Sequence, residues 1–101
     1  MPQLNKVLYL SRSIVESLGL TAADTMARIE HLCRERDAGR VLNATKSLLR
    51  PVDEVLLMST LAVSEDPPYM AVKALGVNAA NAHKGMETIG STITLFDRET
   101  A

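Results

Sequence analysis

Three apolar runs, EVLLMSTLAV (54–63), YMAVKALGVNA (69–79) and TIGSTITLF (88–96), constrain this chain most. They are rich in Val, Ile, Leu and Thr, the residues that suit a pleated surface, and a shorter run, TKSLLR (45–50), precedes them. PVD, SEDPP and a polar loop are all that separates these runs. Parallel neighbours need a crossover of a dozen or more residues, and the spacers are too short to hold crossover helices. Before Gly39 the pattern has a helical period. Helices first and strands afterwards predict an α+β fold, with two N-terminal helices packed on a mixed or antiparallel sheet.

The helical part is readable from its punctuation. KVLYLS (6–11) reads as a short strand, and Ser11 or Ser13 then offers a cap, with Glu16 three residues after Ser13 in capping-box spacing. SRSIVESLG therefore predicts a short helix closed by Gly19. In the second helix Thr21 is the cap and Asp24 sits at the third position, where it meets orphan backbone donors. Ala22, Met26, Ile29 and Cys33 share one face, Arg28, Glu30, Arg34, Glu35 and Arg36 make the solvated face, and Gly39 ends the helix. His31 reads as a surface residue beside that charged face. Cys33 reads as a small buried hydrophobe.

At 101 residues there is room for a single domain and one packing layer, read here as residues 1–101. Eleven basic against twelve acidic residues, with no run of like charge, leave no electrostatic footprint for nucleic acid or an anionic membrane. The expected partners are small molecules or protein. One cysteine excludes an internal disulfide and a cysteine-rich zinc site, and the N-terminal segment lacks a long apolar core; the expected location is cytoplasmic. No glycine-rich dinucleotide fingerprint, phosphate loop, His-Glu-x-x-His or Gly-x-Ser-x-Gly is present, so no metal site and no catalytic nucleophile is expected.

Lys73 stands out. In YMAVKALGV it alternates onto the side of Ala71, Leu75 and Val77, and both sides of the run are mostly apolar, as in a covered central strand. A lysine there is desolvated unless an anion meets it or its stem snorkels to the sheet edge.

The segment AVKALGVNAANAHKGMETIGSTITLFDRET resembles the signature segment of the ornithine cyclodeaminase/mu-crystallin family. Lys73, Asn81, Gly85, Thr88, Leu95, Phe96, Asp97 and Thr100 fall in register with it without a gap. LYLSRSIVESL resembles that family's opening strand and helix, and MARIEHLCRERDAGRV its long second helix. The resemblance implies an N-terminal substrate-binding and dimerisation portion of a larger enzyme, with a Rossmann domain for NAD or NADP to follow. On that reading this stretch alone transfers no hydride, and the full enzyme moves hydride between nicotinamide and the Cα of an amino or imino acid.

By the same resemblance Lys73 contacts substrate near its carboxylate and Thr88 meets the nicotinamide end of the cofactor. Lys46 stands nearest the family's carboxylate-clamping arginine, with Arg50 a weaker match. The loop between β-runs, VNAANAHKGMET (77–88), is then a joint that sets Lys73 and Thr88 beside one pocket. Three departures qualify the likeness. Ala79, Ala82 and Glu87 replace prolines, which predicts a less rigid loop; His83 and Lys84 match variable or basic positions; and Leu56 stands where ornithine cyclodeaminase itself has a glutamate, which argues against ornithine. The alternative of another class is a non-catalytic small-molecule-binding or dimerisation module of mu-crystallin type.

Overall fold

A computed structural model describes residues 6–101. Residues 1–5, the start of the segment read above for a signal sequence, lie outside the described residues. The elements are α1 (Arg12–Ser17), α2 (Ala22–Asp37), β1 (Val41–Asn43), β2 (Ser47–Val52), β3 (Val55–Ser64), β4 (Tyr69–Asn78), a 3-10 helix (Ala79–Lys84) and β5 (Ile89–Asp97). The class is α+β, as expected, and the sheet is antiparallel throughout. Two compact units divide the chain, residues 1–31 and 32–101, with the boundary inside α2.

In the first unit the helix starts follow local chemistry. Ser11, rather than Ser13, caps α1: its hydroxyl accepts the Ile14 N–H at 3.3 Å. Thr21 and Asp24 form a reciprocal capping box, the Thr21 N–H donating to the Asp24 carboxylate at 2.9 Å and the Asp24 N–H donating to the Thr21 hydroxyl at 3.1 Å. These bonds hold the Asp24 carboxyl below its ordinary range, the backbone one first. The strand expected over residues 6–11 does not form; residues 6–10 are irregular and no strand pairs with them among the described residues.

The second unit is a sheet in the order β1-β3-β4-β5, with β2 alongside β1 on the same edge of β3. Each long strand pairs the next in sequence, and the registers Thr60↔Lys73 and Lys73↔Ile93 fix which side chains share a face. Two strand features depart from expectation. β1, too short to show a period, pairs Val41 with Ser64, and β2 runs on through Pro51 to Val52, where a turn was expected. The register of β2 shifts between Leu49 and Val52, so Pro51 lies in an irregularity of an outer strand where no ladder donor is required.

The end of α2 is tied to the sheet side of its own unit. The Arg40 guanidinium forks onto the Glu35 carboxylate, Nη2 to Oε1 at 3.1 Å, and the Arg40 N–H donates to the Glu35 carbonyl at 2.8 Å. The Arg40 carbonyl accepts the Glu65 N–H at 3.1 Å. Glu35 is the one buried residue among the described residues, and no apolar side chain reaches that state. With 47% apolar residues in the sequence, this leaves both sheet faces with large side chains open to solvent. Cys33, expected to be buried, is exposed, as are Met26 and Ile29 on the same helix face.

Candidate functional site

Lys73 lies at the middle of β4, the strand flanked by β3 and β5. The sheet register confirms its side: Thr60 of β3 and Ile93 of β5 sit directly opposite, and Ala71 and Leu75 precede and follow it on the same face. The row around it is apolar apart from the Thr60 hydroxyl. Lys73 is exposed, and no carboxylate pairs with it among the described residues. The expected desolvation is therefore not present in this chain; the cation is uncompensated on an apolar row.

Lys46 is the last residue of the loop between β1 and β2. Ser47, the next residue, pairs Ser59, and Ser59 precedes the Thr60 that pairs Lys73. The backbones of Lys46 and Lys73 are thus two inter-strand spacings apart, about 10 Å, with Thr60 between them. Neither lysine has an ion pair among the described residues. Arg50 is committed elsewhere: its Nη1 donates to the Asp53 carbonyl at 2.6 Å and braces the β2–β3 turn.

The loop after β4 forms a 3-10 helix held by hydrogen bonds at both ends. Asn78 caps the 3-10 helix by accepting the Ala80 N–H at 3.1 Å, and Gly85 closes it in the left-handed region at φ 66°. Asn81 ties the far side, its Nδ2 donating to the Glu87 carbonyl at 3.0 Å and its own carbonyl accepting the Met86 N–H. Asn81 and Gly85 thus shape the turn. His83 and Lys84 are exposed on it.

Thr88 follows this loop and is half-buried. Its carbonyl accepts the Asn78 N–H at 2.8 Å, and its hydroxyl makes no hydrogen bond to a described residue. Asn78 lies five residues beyond Lys73 on β4, so Thr88 and Lys73 are about 17 Å apart along the strand. The loop does not bring the two side by side; a ligand touching both must span that length.

Two shallow depressions mark the sheet, and neither is lined by Lys73. One of about 180 Å³ lies over Gly76 and Gly90, bordered by Leu57, Ala74 and Thr92. Another of about 380 Å³ lies beside Ser47, Leu49, Leu57 and Ser59. The register puts these residues on the face opposite Lys73. Sequence reasoning did not find this face, whose only signal was the two glycines at the same level of adjacent runs.

Among the described residues no helix is long and apolar enough to cross a membrane. No protein-family model, curated protein or solved structure matches the chain.

Proposed function

We propose that the chain is the N-terminal substrate-binding and dimerisation portion of an NAD- or NADP-dependent enzyme of ornithine cyclodeaminase type, acting on a small amino or imino acid in the cytoplasm. In this reading hydride passes to or from the substrate Cα, Lys73 and Lys46 hold the substrate carboxylate, and Thr88 meets the cofactor. The observation that carries it is the pair of uncompensated lysines two strands apart with Thr60 between them. Two cations without protein carboxylates are suited to an anionic ligand, and Thr60 can donate a hydroxyl to it. Lysine binds as a point charge, so this arrangement favours a carboxylate without dictating its plane.

The cofactor's residues fit only in part. Thr88 offers an unengaged hydroxyl, but an antiparallel sheet without a glycine-rich strand-to-helix turn gives no cradle for a pyrophosphate. When bound, the nicotinamide supplies the hydride acceptor or donor; this chain's residues supply substrate orientation and charge.

Titration of the chain with a panel of 2-amino, 2-imino and 2-oxo carboxylates, followed by backbone NMR shifts, tests the reading. Saturable shifts at Thr60, Lys73 and Ile93 that vanish in Lys73→Met support it. Shifts absent from that row, or unchanged in Lys73→Met, overturn it.

A further inference from the structure

We propose that Thr45 is a further substrate-binding residue of the Lys73 row, brought there by a β-bulge that sets Thr45 and Lys46 together against Thr60. Resting on the carboxylate reading of that row, this role adds what the lysines lack, a donor that fixes the plane of the carboxylate.

The bulge follows from the registers. Asn43 of β1 pairs Ala62 and Ser47 of β2 pairs Ser59, so the three residues 44–46 lie opposite the two residues 60–61 of β3. The Ala44 N–H donates to the Leu61 carbonyl at 3.1 Å, which engages Leu61 and leaves Thr45 and Lys46 opposite Thr60 alone. β1 and β2 are thus one outer strand with one extra residue, inserted at the level where Lys73 stands on the far side of Thr60. Bonded and non-bonded pairs alternate along an antiparallel ladder, so the bond at Leu61 turns the main-chain groups of Thr60 toward β4. The extra residue therefore sits in a gap of the ladder and breaks no bond of β3.

That residue decides which face Lys46 takes. Carried on in the register of β1, Lys46 would stand opposite Ser59, whose side chain lies on the other side of the sheet from Lys73. In the register of β2 it comes opposite Thr60 instead. Alternation forward from Asn43 brings Thr45 onto the Lys73 face, and alternation back from Leu48 brings Lys46 onto the same face. Two consecutive residues of one strand, which would otherwise point to opposite sides, share a side because the bulge absorbs the odd step. Bulges beside functional sites re-aim side chains in this way.

The consequence is geometric control. An ammonium attracts a carboxylate as a point charge, whereas a hydroxyl donates along one bond. Thr45 and Thr60 are exposed and half-buried, and neither hydroxyl makes a hydrogen bond to a described residue. From Lys46, Thr45 lies along the outer strand and Thr60 lies across the ladder by about 5 Å. The two hydroxyls thus approach an anion from different directions, each able to donate to one oxygen of a planar carboxylate, while the two ammoniums carry the charge. A tetrahedral anion of equal charge leaves one oxygen without a donor.

Backbone NMR titration of the full chain with acetate, and with methanesulfonate as the tetrahedral control, tests this. In the wild type acetate should give saturable shifts at Thr60 and Lys73 and bind more tightly than methanesulfonate. Thr45→Val should raise the acetate Kd about tenfold and abolish the preference, and Thr45→Ser should keep both as in wild type. Acetate shifts that vanish in Lys73→Met but keep the wild-type Kd in Thr45→Val overturn the role of Thr45 and leave the carboxylate reading standing. Acetate that moves nothing in the row of the wild type overturns both. Equal wild-type affinity for the two anions overturns the control of the plane. Should Thr45→Val fail to fold, Thr45→Ala measured against Thr45→Ser decides the same point.

Discussion

Thr60 and Lys73 stand directly opposite each other across the β3–β4 ladder, and Ile93 completes their row on β5. Lys73 makes no ion pair among the described residues, so its replacement removes no internal ion pair. Lys73→Met should change unfolding free energy by no more than about 0.5 kcal/mol. Carboxylate binding at the row should weaken by roughly tenfold or more if the cation holds the ligand. Thermal melting and ligand titration on the same preparation separate the two effects; a large fall in Tm would make Lys73 a structural residue.

The Glu35–Arg40 fork predicts an asymmetry between single and double substitutions. Arg40→Met leaves a buried carboxylate without its guanidinium, which costs more than the fork itself contributes. Tm should fall clearly in Arg40→Met and recover in part in Glu35→Gln with Arg40→Met. A double variant melting below Arg40→Met would show that Glu35 is held by its other interactions. The carboxylate also holds the Arg40 guanidinium further toward its charged form, through the hydrogen bond first and attraction second.

Acid sensitivity should come in part from Asp97. Hydrogen bonds from the Thr100 and Glu99 N–H groups and the Thr100 hydroxyl lower its folded-state pKa below the ordinary 3.8. A depressed carboxyl contributes stability that is fully present above its unfolded value and is lost as pH falls through the folded one. Asp97→Asn should therefore flatten Tm against pH below about pH 4 and leave the shape of the neutral region unchanged. An unaltered slope would mean that the C-terminal turn does not contribute to acid unfolding.

Gly85 predicts a backbone cost without a steric one. A side-chain carbon there meets nothing within 4 Å, but φ is 66°. Gly85→Ala should destabilise by about 1 kcal/mol, and Gly85→Asn by less, because asparagine tolerates the left-handed region. Urea midpoints for the two variants give the comparison.

Much of this architecture was legible where a local rule acts alone. The Thr21–Asp24 box needs only residues three apart, and alternation in YMAVKALGV is enough to assign Lys73 its side. Pairing is not local in that sense. Residues 6–11 have strand-forming side chains but no neighbouring strand, whereas Val41–Asn43 has too little sequence to show a period and pairs because β3 extends past β2. Pro51 was read as a turn because it lacks a donor, yet in an irregular outer strand that donor is not needed. The exposure of Cys33 depends on what covers a helix face, which periodicity cannot specify. The roughly 17 Å between Lys73 and Thr88 depends on register; fifteen positions of sequence separation gave no measure of it.

The sheet is laid down mostly in chain order: β2 pairs β3, β3 pairs β4 and β4 pairs β5. Each closure joins segments separated by a short turn or loop, a low-contact-order route that shortens the search during folding. During synthesis β3 has a partner when β4 emerges, and β4 waits for β5. β5 is thus the last of these five strands to leave the ribosome, so one edge of β4 stays unpaired until residues 89–97 have been made.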